Sequence, residues 1–257
     1  TVKSGDKTIT DFGGSVAVSL PYELKEGEAA ENVTVWHLTA NGVLIEIPCT
    51  YDAATGLASF TVSHFSVYIV GVAGEWANPF DDVDEADWFY DEVRFIYENN
   101  LMVGTGEATF SPLASTSRGM IVTILWRLEG KPEATLPMTF TDVADGQWYY
   151  DAVAWAAEKA IVDGYDITRF GPEDDITREQ MAKILIAYAD YKGKNTSASN
   201  DLSAFTDTPS SWALQSVSWA VAEGLMQGKG GGILDPQGGA KRCECAAIFQ
   251  RFQYIIA

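Results

Sequence analysis

Three arginines stand at the same place in a recurring pattern, and their setting suits anion chemistry. In Thr177-Arg178-Glu179-Gln180 the Thr hydroxyl and the Gln side chain occupy capping-box positions, which makes Arg178 the first residue of the helix that follows. A cation there faces the positive end of the helix dipole, a placement that costs about 0.3–1 kcal/mol when exposed. Arg118 and Arg242 nevertheless occupy the same position in two further copies. A helix start presents unpaired amides to an anion, and an adjacent guanidinium adds a two-pronged donor for a carboxylate. The competing reading is an ion pair between each Arg and an acidic residue of a neighbouring loop, which a chain with 36 acidic residues readily supplies.

Other chemistries find little support. Cys49, Cys243 and Cys245 are odd in number and form no Cys-x-x-Cys pair, which argues against a disulfide framework and a zinc site. Cys245 falls on an apolar stripe and reads as a small buried hydrophobe; Cys243, beside Arg242, is expected to be more exposed. His37 and His64 lack a nucleophile or carboxylate partner motif, so no catalytic constellation is expected. In Lys229-Gly230-Gly231-Gly232 the Lys precedes the glycines and no strand leads in, unlike a phosphate loop. The cluster Asp81, Asp82, Asp84, Glu85 and Asp87 lacks the Gly and the terminal Glu of a hand-type calcium loop. Neither a metal nor a cofactor is therefore expected. A formal charge of -19 opposes a broad attraction to nucleic acid or to an anionic membrane. There is no apolar run of 18 or more residues and no signal segment at the start, and the opening at Thr1 reads as the middle of a domain in a longer protein.

The elements that must position the arginines are written three times. Phe80, Trp88, Gly104, Pro112 and Arg118 recur as Phe140, Trp148, Gly164, Pro172 and Arg178, then as Phe205, Trp212, Gly228, Pro236 and Arg242. Each copy reads as helix, loop, helix. Val153, Ala156, Ala157, Ala160 and Ile161 line one face of a first helix, as do Val217, Ala220, Val221 and Leu225 in the last copy. Ile121, Ile124, Leu125 and Leu128 line a second helix, matched by Met181, Ile184, Leu185 and Tyr188 and by Cys245, Ile248, Phe249 and Phe252. Gly104, Gly164 and Gly228 are expected to end the first helices. Trp88, Trp148 and Trp212 at helix starts read as core residues before ligand platforms. Asp82, Asp142 and Asp207 read as turn or cap residues. Such units rarely bury their apolar faces alone, so sites form at their junctions.

Residues 1–75 alternate apolar and polar in short runs, Val16 to Leu20, Val33 to Leu38, Val43 to Ile47 and Phe60 to Val70. Asn41-Gly42 is a strong hairpin signal because both residues tolerate positive φ, and Thr55-Gly56 is expected to turn the next hairpin. Gly74 to Pro79 reads as a linker, and Lys192 to Ser203 as the longer connection before the third copy.

Phe140-Thr141-Asp142-Val143, Trp148, Gly164, Phe170-Gly171-Pro172 and Ile176-Thr177-Arg178-Glu179 resemble the repeat of the S-layer homology family, and the resemblance covers about residues 78–257. It implies an α+β chain: a small all-β, sandwich-like module at 1–75, then a mainly α, pseudo-threefold bundle of repeats at 78–134, 138–194 and 203–257. It further implies a non-catalytic, extracellular anchor at the C-terminal end of a Gram-positive surface protein. The implied ligand is secondary cell-wall polysaccharide carrying a pyruvylated amino sugar. Arg118, Arg178 and Arg242 would grip its acid group. Trp88, Trp148 and Trp212, Gly104, Gly164 and Gly228, and Asp82, Asp142 and Asp207 would shape the grooves. No partner nucleic acid, membrane or metal is implied. The alternatives are a structural spacer, a self-associating S-layer lattice segment, or the anchor of a surface enzyme whose catalytic part lies elsewhere. Copy 1 has Ser117-Arg118-Gly119-Met120, without the motif's acidic residue, and copy 3 has Lys241-Arg242-Cys243-Glu244, without its cap hydroxyl. Copy 2 is thus the most complete, and the groove of copy 3 is expected to be the weakest.

Overall fold

Apolar residues recur with period two in the first part of the chain and near 3.6 in the rest, and the structure divides where the period changes. A computed structural model describes residues 2–4, 7–9, 11–64, 66–74 and 76–256. Its two compact units are Thr1–Ala77 and Asn78–Ala257, the first built of strands and the second of six helices, an α+β chain.

In the first unit β1 (Val2–Ser4) pairs antiparallel with β2 (Lys7–Ile9). Two three-stranded sheets follow. One has the order β3-β7-β6 from Asp11–Pro21, Leu57–His64 and Cys49–Asp52; the other has the order β5-β4-β8 from Leu44–Ile47, Val33–Leu38 and Val67–Val72. Alternate residues Val33 and Val35 of β4 meet Ala58, Phe60 and Val62 of β7 in one core, as the period of two requires. The expected single run Phe60 to Val70 is two strands: β7 pairs with β3 and β6, whereas β8 pairs with β4 in the other sheet. Phe65, between them, lies outside the described residues. The β4–β5 turn also differs from the two-residue form. Only Gly42 has positive φ, at 83°. Thr39 organises a wider turn: its hydroxyl accepts from the Val43 amide at 3.0 Å, and its carbonyl accepts from the Gly42 amide at 3.0 Å. Gly56, at φ 68°, turns the next hairpin. The rings of His37 and His64 pack 5.0 Å apart.

In the second unit α1 (Tyr90–Glu98), α3 (Tyr150–Glu158) and α5 (Leu214–Ala222) are the first helices of the copies. The second helices are α2 (Arg118–Leu128), α4 (Arg178–Tyr191) and α6 (Arg242–Ile256). All twelve residues of the second-helix stripes are buried. Ser117 caps α2 by accepting from the Met120 amide, and Thr177 with Gln180 forms a complete capping box on α4. The first helices stop earlier than expected. Asn100, Ala160 and Gly224 take the left-handed conformation at φ 56°, 55° and 71° directly after the helix ends, so Ala160 and Ile161 lie beyond α3. Gly104, Gly164 and Gly228 have no positive φ; what they lack is room. A Cβ at Gly104 or Gly228 would lie 2.8 Å from the ring of Phe80 or Phe205, and one at Gly164 would strike Phe140 and two loop carbonyls.

Each second helix packs against the first helix of another copy: α2 on α3, α4 on α5 and α6 on α1. At the centre three backbone bonds form a closed cycle. The Thr116 amide donates to Ala240 at 3.0 Å, Ala240 to Ile176 at 3.1 Å, and Ile176 to Thr116 at 2.9 Å. All three residues are fully buried. Trp155 and Trp219, one helical turn inside α3 and α5, are wholly buried, and the ring of Tyr188 of α4 packs tilted, 5.9 Å from that of Phe252 of α6.

The segment between the first two copies is tied by one carboxylate. Glu158 pairs with Lys159 at 2.9 Å and accepts from the Thr135 and Leu136 amides at 2.5 and 3.0 Å. The Lys159 hydrogen bond, then those amides, lower its pKa to about 2. A depressed carboxyl contributes stability that is present above its unfolded pKa and lost as pH falls through the folded one. Glu158→Gln should therefore flatten the acid limb of the stability curve between roughly pH 4 and 2. Urea midpoints at stepped pH measure this; a limb of unchanged slope would show that Glu158 contributes nothing there.

Candidate functional site

One residue in the loop of each copy is held from both sides. The Asp82 carboxylate accepts from the amides of Phe110 and Ser111 at 2.8 and 2.7 Å. Asp142 accepts from Phe170 and Gly171 at 2.9 and 2.7 Å, and Asp207 from Leu234 and Asp235 at 2.8 and 2.6 Å. The carbonyls of the same Phe110, Phe170 and Leu234 accept from the Nε of Arg242, Arg118 and Arg178 at 2.8, 2.9 and 3.2 Å. The Nη2 atoms of those arginines donate to the carbonyls of Val103, Asp163 and Gln227 at 2.7, 2.9 and 2.6 Å. Each Arg therefore leaves its own copy: copy 1 reaches copy 2, copy 2 reaches copy 3, and copy 3 reaches copy 1.

The helix-start amides make the same journey. Arg118 and Gly119 donate to Asp174 and Pro172, Arg178 and Glu179 to Gly238 and Pro236, and Arg242 and Cys243 to Ala114 and Pro112. These amides are used within the protein and are not open to a ligand. The alternative of an acidic partner does not hold either, since none of the three arginines forms an ion pair among the described residues. Their principal partners are main-chain carbonyls. A tightly turned loop leaves carbonyls that need donors, and the planar guanidinium supplies two in a fixed fork. The arginines are only 6, 4 and 3% exposed in chain order. Burial lowers the pKa of each, and nearby carboxylates oppose the shift. Aromatic faces offset part of the cost: Arg118 lies 4.6 Å over Phe170 and 4.7 Å over Tyr165, and Arg242 lies 4.6 Å over Phe110.

The tryptophans overturn the core expectation. Trp88, Trp148 and Trp212 are 60, 53 and 51% exposed, because the next residue in each copy takes the core position. Phe89, Tyr149 and Ala213 are buried there. Trp88 and Trp148 stand edge-on to those neighbours at 5.4 and 5.0 Å.

Two grooves collect these parts. The first, about 400 Å³, brings together Arg242 of copy 3, the Leu101–Thr105 loop and one face of α2 from copy 1, and Trp148 of copy 2. The second, about 500 Å³, brings together Arg118, the Gly164 loop with Tyr165 and one face of α4, and Trp212. Arg, Gly and Trp in each groove thus come from three different copies. Completeness of the motif within one copy therefore does not rank a groove: Arg242 of the least complete copy lines the first groove, and Arg178 of the most complete copy meets the loop of copy 3. Asp82, Asp142 and Asp207 do not line these two grooves; they hold the loops, and Asp142 also lines a separate cavity of about 280 Å³. Sequence reasoning missed Met120, Thr123 and Arg127 in the first groove, and Gln180 and Lys183 in the second. Their spacing of i, i+3 and i+7 on α2 was a usable signal, adjacent to the buried stripe.

Cys243 is buried, contrary to expectation, because its turn of α6 packs on the Pro112 loop. Burial pushes its thiol up to about 11 and that of Cys245 to about 12, so neither is a thiolate near neutral pH. No helix among the described residues is long and apolar enough to cross a membrane.

Residues 79–119, 139–182 and 204–244 each match the S-layer homology domain. This chain carries three tandem S-layer homology domains. It is 32% identical over 200 residues to the surface-layer 125 kDa protein of Lysinibacillus sphaericus, covering 76% of this chain and 16% of that protein. It is 28% identical over 254 residues to an amylopullulanase of Thermoanaerobacterium thermosulfurigenes, covering 95% of this chain and 13% of that one. A cellulosome-anchoring protein of Acetivibrio thermocellus is 26% identical over 146 residues, 55% of this chain and 33% of that protein. The chain thus spans a third or less of the length of these relatives. In every copy the S-layer homology match begins one residue ahead of Phe80, Phe140 or Phe205 and runs past the Arg that reaches the neighbouring copy.

Proposed function

We infer that the three S-layer homology domains close into a pseudo-threefold unit that holds a larger surface protein to the cell wall. It does so by recognising an acidic secondary polysaccharide. The observation that carries this reading is the pairing, in each groove, of a largely exposed Trp with a buried Arg held in place by carbonyls. An indole face stacks on a sugar ring, and a guanidinium whose Nε and Nη2 are already committed keeps Nη1 for a carboxylate; in Arg242 that atom meets the weak acceptor Met120 Sδ at 3.9 Å. A pyruvylated amino sugar offers both partners on one residue. The cyclic reach of Arg118, Arg178 and Arg242 supports the threefold closure. Resemblance to a surface-layer protein and a cellulosome-anchoring protein supports the location and the anchoring role. The work of the site is binding rather than catalysis, because its lining supplies donors and aromatic faces instead of a nucleophile with a base.

The test compares binding of the chain to native cell-wall sacculi with binding to sacculi stripped of the secondary polymer. Binding should be lost with the polymer. Trp148→Ala with Trp212→Ala should weaken capture on the order of tenfold without moving the melting temperature, because both rings are largely exposed. Equal capture by native and stripped sacculi would refute the reading and leave the arginine staples as pure architecture.

A further inference from the structure

The two grooves share a plan but differ in charge. Two guanidiniums, Arg127 and Arg242, line the first, and no carboxylate side chain does. Arg127 donates from Nη1 to the Leu101 carbonyl at 3.0 Å, which fixes the guanidinium, and it has no ion-pair partner among the described residues. The same groove contains Thr123, only 3% exposed, whose hydroxyl has no hydrogen-bond partner among the described residues. In the second groove the position matching Arg127 is Ala187. Its second cation, Lys183, is held by Asp163 at 2.9 Å and lies 5.9 Å from the Trp212 ring. Asp142, Asp163 and Asp174 also act on Arg118, and Asp82 acts on Arg242.

Resting on the polysaccharide reading above, we propose that the first groove is the principal subsite for the acid-bearing sugar and that Arg127 is its specificity-determining residue. A carboxylate entering the first groove meets the guanidiniums of Arg127 and Arg242, with the unpartnered Thr123 hydroxyl buried in the groove wall. One entering the second must compete with Asp163 for Lys183, and it finds no second guanidinium. The second groove therefore takes a neutral sugar, or the acid only at higher concentration.

The probe is a methyl glycoside of 4,6-pyruvylated N-acetylhexosamine, with the unpyruvylated glycoside as control. The full chain carries 5-fluorotryptophan, and the resonances of Trp148 and Trp212 are assigned with Trp148→Phe and Trp212→Phe. In ¹⁹F titrations the acidic glycoside should shift the Trp148 signal at a concentration about tenfold lower than the Trp212 signal. Arg127→Gln should raise the Trp148 midpoint about tenfold and leave that of Trp212 unchanged, which also reports a folded chain. Asp163→Asn, on an exposed side chain, should lower the Trp212 midpoint, a gain that misfolding cannot produce. A Trp212 signal that responds first, a Trp148 midpoint indifferent to Arg127→Gln, or equal response of Trp148 to the neutral glycoside overturns the proposal while leaving the anchoring function intact. Silence of both tryptophans toward the acidic glycoside overturns that function and this proposal together.

Discussion

Arg242→Ala is expected to destabilise the helical unit by roughly 3–5 kcal/mol, because it leaves one buried and one part-buried carbonyl without donors and removes a well-packed side chain. The carbonyls are those of Phe110 and Val103, and the bonds run from the third S-layer homology domain back to the first. For a unit of this size that corresponds to a melting temperature lower by about 6–20 °C, measured by far-ultraviolet circular dichroism. Arg178→Ala should cost less, by about 0.5–2 kcal/mol, because Leu234 replaces the aromatic face that Phe110 and Phe170 offer the other two arginines. A melting temperature unchanged by Arg242→Ala would show that the arginine does not close the cycle. The same geometry bears on the binding experiments. Alanine at any of the three arginines would reduce polysaccharide capture by disturbing the loops, whether or not the guanidinium touches the ligand. The tryptophan and Arg127 variants separate recognition from architecture.

Gly164→Ala is expected to cost roughly 3 kcal/mol, at the upper end of what overpacking usually does. The new Cβ would lie 2.5 Å from the Phe140 ring and 2.6 Å from the Arg169 carbonyl, with the Asp166 carbonyl closer still. Backbone atoms cannot turn aside as a flexible side chain can. Gly224→Ala, at the left-handed helix end, should cost only about 1 kcal/mol, because Ala160 already takes that conformation in the copy before it. Chemical denaturation of the two variants measures the contrast. A larger loss from Gly224→Ala would restore helix termination as the more demanding use of glycine in these repeats.

Much of the architecture was legible in local pattern. The period of two placed most strands, and the stripe Ile121, Ile124, Leu125 and Leu128 with its counterparts placed the second helices. The capping box at Thr177 and Gln180 located the start of α4 to the residue. These signals survive in sequence because their energetics are local: a cap, a stripe and a turn involve residues only a few positions apart. The recurring Arg was equally visible, as was its unsuitability for the helix it opens.

Where each arginine goes was not legible. Its partners lie 45 to 139 residues away, and they are carbonyls, which every residue carries and which therefore leave no trace in sequence. For the same reason the pattern points to Trp148 as core although Tyr149, one residue on, holds the buried position; periodicity cannot resolve a shift of one residue at a helix start. Arg127 is hidden too, because it belongs to a groove completed by Arg242 and Trp148 of two other copies. The sequence by itself determined three equivalent helical units, their caps and their recurring Arg. Tertiary closure decided that each Arg serves its neighbour, and that a groove takes its Arg, loop and Trp from three domains. The reason is that the apolar face and loop carbonyls of one unit are satisfied only when the next unit supplies the missing donors.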